Sequence, residues 1–101
     1  MTMITRIFRV RINPDLREEF ELKFADISVH AVQSQDGFLS VQIGKPSKWT
    51  PDEYVMITQW VDEDSLKKFV GESWEQAHIP QGMDKFIRQC WLHHFVDYGN
   101  S

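Results

Sequence analysis

From Ile4 to Ile12 the chain alternates, with Ile4, Phe8, Val10 and Ile12 on one side and Thr5, Arg9 and Arg11 on the other. That pattern predicts a first strand, broken only by Arg6, which falls on the apolar side. The period then lengthens. Asn13 is a helix cap, Pro14 takes the first helical position, where its missing N–H costs nothing, and Leu16, Phe20, Phe24, Ile27 and Ala31 mark one face of a long helix expected to end near Gln35. Gly37 closes that element, and Phe38 to Ile43 reads as a second strand. A hairpin loop with Lys45, Pro46, Ser47, Trp49 and Pro51 precedes a third strand from Glu53 to Val61. Asp62, Glu63, Asp64 and Ser65 then crowd a helix N-terminus, where carboxylates favour the free N–H groups, and Leu66, Phe69 and Val70 take up helical spacing. Gly71 interrupts this helix, Ser73 can cap a second short turn carrying Trp74, Ala77 and His78, and Pro80 stops it. Met83 to Phe86 predicts one more helical turn before a last strand from Arg88 to Tyr98.

The order is β-α-β-β-α-β. It predicts an α+β, ferredoxin-like fold, a four-stranded antiparallel sheet with two helices on one face. Helices cover only one face, yet the later strands are apolar on both: Val55 and Ile57 oppose Tyr54, Met56 and Trp60, and Cys90, Leu92 and Val96 oppose Trp91 and Phe95. An apolar second face predicts a partner, here a second copy of the chain.

Composition narrows the picture. At 101 residues the chain is expected to be a single domain, 1–101 with a core from about 4 to 98, and 42% apolar content marks it as globular. No apolar run approaches the ~20 residues that span a bilayer, and no basic segment precedes an apolar one at the start, so a soluble, cytoplasmic protein is expected. Cys90 alone forms no internal disulfide. Eleven basic against fifteen acidic residues argue against nucleic acid or an anionic membrane as partner. Arg6, Arg9 and Arg11 cluster on the first strand, where solvated edges or pairs with the Glu-rich helix are the expected roles.

The stretch GFLSVQIGKPSKWTPDEYVMITQWVDEDSLKKFVGESWEQAH, residues 37–78, carries a further signal. Glycine and aromatic, strand, loop, strand ending in Trp60 before acidic residues, then a broken helix with the late His78: this resembles the antibiotic biosynthesis monooxygenase family of dimeric α+β barrels. The resemblance implies packing of two sheets into a barrel. It also implies one of two chemistries. One branch oxidises phenols and quinols without metal or flavin, polarising or deprotonating a substrate hydroxyl so that the substrate itself activates dioxygen in an apolar pocket. For that branch Trp60, Phe69 and Trp74 are the expected walls, His78 the expected base, and Tyr54, Arg6 and His94 further substrate-binding candidates. The other branch degrades haem with an Asn on the first strand, a Trp on the second helix and an axial His. Here Phe8 stands at the first position, Phe69 or Trp74 at the second, and His78 at the third.

The expectation is a small cofactor-independent monooxygenase acting on a quinol-like or polycyclic aromatic molecule. The alternatives are a haem-binding or haem-degrading protein using His78, and a non-catalytic ligand-binding or structural dimer. Simpler roles compete residue by residue. A helix-terminal His often serves the dipole, and these aromatics are also what a small core uses. Glu75 and His78 form an isolated E-x-x-H, and His93 and His94 are strand neighbours pointing to opposite faces, so neither pair predicts a metal site. Phosphate loops, nucleophile elbows and zinc spacings are lacking.

Overall fold

The computed structural model describes residues 3–71 and 82–98. Strands β1 (Ile4–Ile12), β2 (Phe38–Gly44), β3 (Glu53–Trp60) and β4 (Ile87–Val96) form one antiparallel sheet in the order β2-β3-β1-β4. A 3-10 turn (Pro14–Leu16), α1 (Arg17–Lys23), a π-helical turn (Phe24–Ser28) and α2 (Val29–Gln33) connect β1 to β2. Helix α3 (Glu63–Val70) follows β3, and a 3-10 turn (Asp84–Phe86) leads into β4. This is the expected ferredoxin-like α+β fold.

Register assigns the faces. Ile4, Arg6, Phe8 and Val10 of β1 stand opposite Trp60, Thr58, Met56 and Tyr54 on one side and Val96, His94, Leu92 and Cys90 on the other, so all share the helix-covered face. Its core has two centres. Val10, Ile12, Phe20, Phe24, Tyr54, Met83 and Phe86 form one, Ile4, Val32, Trp60 and Leu66 the other, and Met56 packs against both.

The long helix departs from its expected stripe. Phe20, Phe24, Ser28 and Val32 are its buried residues, a stride of four rather than 3.6, because the π turn from Phe24 to Ser28 takes an extra residue. Ser28 and Val32 therefore replace Ile27 and Ala31 as the innermost positions, while Ile27 still packs on the first centre from its edge.

Two caps hold as the sequence implies. Asn13 Oδ1 accepts from the Asp15 N–H at 3.1 Å, and an Asp62 carboxylate oxygen accepts from the Ser65 N–H at 2.8 Å. That backbone bond, with help from the Ser65 side chain, holds the Asp62 carboxyl below its usual range. Its contribution is present above the ordinary carboxylate pKa and lost as pH falls through the lowered one. Asp62→Ala is therefore expected to lower the melting temperature at neutral pH by an amount that shrinks on acidification. Asn13→Ala should have a pH-independent effect, and melts from pH 7 to pH 2 check both.

The strand-one arginines correct one expectation. Arg9 pairs with a neighbouring strand rather than the acidic helix, its Nε and Nη2 reaching the two Glu53 oxygens at 3.0 and 2.8 Å, and its guanidinium lies 4.8 Å from the centre of a Trp91 ring. The reason is register. Trp91 is directly opposite Arg9 and Glu53 lies one diagonal away, on the face that the helices do not cover. Arg6 is neither edge nor solvated, at 6% exposure.

Candidate active site

Between the sheet and the helices lies an apolar cavity of about 50 Å³. β1 contributes Arg6 and Phe8, β3 contributes Met56 and Thr58, the π turn brings Phe24 and Ser28, and α3 adds Phe69. The π turn matters here, since it keeps the stride of four in phase, so that Phe20, Phe24, Ser28 and Val32 all stay buried along one helix.

Arg6 dominates the electrostatics. It sits on the helix-covered face because β1 alternates without interruption through it, opposite Thr58 and His94. Its Nη1 donates to His94 Nε2 at 2.9 Å. A guanidinium offers only donors, so Nε2 accepts and the His94 proton resides on Nδ1 in this arrangement. Burial pushes Arg6 down to about 10, which still leaves it a cation at neutral pH. The buried hydroxyl of Thr58 accepts from the Trp60 indole N–H at 3.0 Å. Among the described residues no buried side-chain N or O lacks a partner. A dry slot with a fixed positive charge can stabilise an anion formed within it, such as a phenolate or enolate.

The expected site residues separate. Arg6 and Phe69 border the cavity, and His94 reaches it through its bond to Arg6. Trp60, expected as a wall, is a core residue with 0% exposure, stacked on Phe69 at 5.4 Å and set edge-on to Phe38 at 5.9 Å. It backs the wall instead of forming it. Tyr54 belongs to the other core centre, where its hydroxyl donates to Glu21 Oε2 at 2.5 Å. Burial first and then this bond push Tyr54 up to about 12, too high for a base near neutral pH. His78 and Trp74 lie outside the described residues.

Phe8, Phe24, Ser28, Met56 and Thr58 were not among the expected pocket residues. Thr58 was within reach of the sequence, since it shares the face of Tyr54, Met56 and Trp60. Ser28 was not, because no residue pattern announces the π turn. Among the described residues no three His, Cys, Asp or Glu side chains cluster as ligands of one metal ion. For haem, the described lining offers the thioethers of Met56 and Met83 and has Phe8 where the resemblance asks for Asn, while His78, the axial candidate, lies outside the described residues.

Known structures share this architecture. The haem degrader MhuD of Mycobacterium tuberculosis, solved with two haems in its active site, is similar over 97% of this chain and 98% of its own, with a TM-score of 0.71 at 20% identity. SnoaB, a cofactor-independent oxygenase from Streptomyces nogalater solved as a point mutant, is similar over 98% of this chain and 94% of its own, with a TM-score of 0.67 at 16% identity. A Pseudomonas aeruginosa protein matches over 98% and 97%, with a TM-score of 0.73 at 14% identity. At such identities the likeness concerns the fold. Among curated proteins no sequence matches significantly. The sequence profile of one family, antibiotic biosynthesis monooxygenase, matches residues 3–78, most of the chain and all but one of the strands described above. The chain belongs to the antibiotic biosynthesis monooxygenase family.

Proposed function

We propose that this chain is a small, cytoplasmic oxygenase that converts a quinol-like or polycyclic aromatic substrate with dioxygen and without a bound cofactor. The observation that carries the reading is Arg6, a buried cation at the edge of an apolar slot. As the substrate hydroxyl loses its proton, Arg6 holds the resulting anion. His78 is the proposed base, a role that rests on the family resemblance. The electron-rich ring carbon passes an electron to dioxygen, and the pair recombines as a peroxide. Loss of water then leaves a carbonyl, so that one oxygen atom enters the product and the other departs as water.

The cavity of about 50 Å³ admits a molecule the size of dioxygen, whereas pockets for drug-sized ligands occupy about 300–1,000 Å³. A tricyclic substrate therefore requires the lining to yield. The π turn borders this lining, and π turns are frequent at functional sites. Oxygen uptake by metal-free, flavin-free protein with dihydroxynaphthalenes and anthrones tests the reading. Uptake above the uncatalysed rate supports it. No acceleration by any substrate, or a hemin complex whose Soret band is lost with ascorbate and release of iron, overturns it in favour of the binding or haem alternative.

The reading includes a homodimer. Ile7, Val55, Ile57, Trp91 and Phe95 share the sheet face without helices, and Phe95 is 54% exposed. A second copy covering this face would form the family's barrel. The chain is then expected to elute near twice its 12.0 kDa mass, and Trp91→Asp to give a monomer or an unfolded chain, because it would bury an unpaired charge. A wild-type monomer at micromolar concentration would contradict this.

A further inference from the structure

Where β1 ends and β4 begins, a second cavity of about 300 Å³ is bordered by Arg11, Arg17 and Arg88 together with Asp52, Pro46 and Pro51. Its shape follows from a fault in the ladder. Arg11 pairs with Gln89 while Ile12 pairs with Ile87, so Arg88 is the extra residue of a bulge, a device that re-aims a side chain at a sheet's end. The opening of α1 supplies Arg17, and the β2–β3 loop supplies the prolines and Asp52. That loop is held in place by reciprocal backbone bonds between Ser47 and Thr50 at 3.1 Å, so the wall stands before any ligand arrives.

The charge balance of the cleft runs against that of the chain. Acidic residues outnumber basic ones fifteen to eleven overall, yet three guanidiniums face this cavity and Asp52 is the one carboxylate on its border. Arg17 gives its Nε to Glu21 at 3.2 Å. The exposed Arg11 and Arg88 side chains make no hydrogen bond or ion pair with any described residue. Like charges gathered on a concave surface repel one another unless an anion joins them.

We propose that this cleft binds a compact polyanion whose carboxylate or phosphate oxygens bridge Arg11, Arg17 and Arg88. Planar guanidinium forks match both oxygen geometries, and the volume suits an ion the size of citrate or pyrophosphate. The inference is independent of the oxygenase reading.

Isothermal titration of the full chain with pyrophosphate and with citrate tests it, the stronger of the two naming the oxygen chemistry. Binding is expected at low salt and should weaken as KCl is raised. The double variant Arg11→Gln/Arg88→Gln should bind at least about tenfold more weakly, and Asp52→Asn more tightly. These are surface positions, so circular dichroism and the melting temperature should report an intact fold for both variants. If neither anion binds the wild type, or if the double variant binds as the wild type does, the assignment is wrong.

Discussion

Arg6→Met is expected to reduce oxygen uptake by about 10²- to 10³-fold, the cost of removing one fixed group that stabilises a developing anion in a dry site. The substitution keeps an unbranched apolar stem and removes the guanidinium with its charge. Stability should change little, because burial holds the guanidinium below its usual pKa and the substitution removes that desolvation cost together with the bonds the group makes. A structural role predicts instead a lower melting temperature with activity lost only in proportion. Unchanged oxygen uptake would remove Arg6 from the chemistry.

Trp60→Ala should produce the largest loss of stability, about 3–5 kcal/mol. The indole is fully buried in one of the two core centres, stacks on Phe69 and gives its N–H to Thr58. Against the ~5–15 kcal/mol that separates native from unfolded domains, such a loss leaves a marginal fold. Chemical denaturation measures it directly. A loss below about 1 kcal/mol would mean that neighbouring side chains collapse into the space. Phe69, which borders the cavity on one side, already has empty volume beside it and should be less costly to truncate.

These two residues show what the sequence discloses and what it hides. Strand alternation placed both Arg6 and Trp60 on the helix-covered face, since a period of two leaves no choice once the neighbours are apolar. Alternation says nothing about depth. Trp60 was expected at the pocket because large aromatics line pockets and fill cores alike, and only its position next to Leu66 and Val32 decides for core. The helix caps and the antiparallel order were legible for the same local reasons, being set by residues within a few positions of one another, whereas the second face expected to be apolar mixes Ile7, Val55, Ile57, Trp91 and Phe95 with Thr5, Arg9, Glu53, Gln59 and His93. The pocket floor was not legible. It depends on a π turn that has no sequence signature, and on a cross-strand contact between residues 88 apart, Arg6 and His94, that alternation permits but does not require. The pairing of Arg9 with Glu53 belongs with these, since the diagonal depends on register and not on pattern.

The Arg9–Glu53 pair also bears on which surfaces can settle against the open sheet. An unbroken apolar face would adhere to almost any other, but this one has an ion pair at the start of β3, with the Glu53 side chain only 15% exposed and Arg9 at 39%. A covering surface that strips water from the pair without meeting its remaining donors and acceptors leaves them unsatisfied, at about 1–3 kcal/mol for each group. A mate of matching contour escapes that penalty, and an arbitrary greasy surface does not. For the proposed second copy, this pair would favour a mate that meets its donors and acceptors over promiscuous clumping.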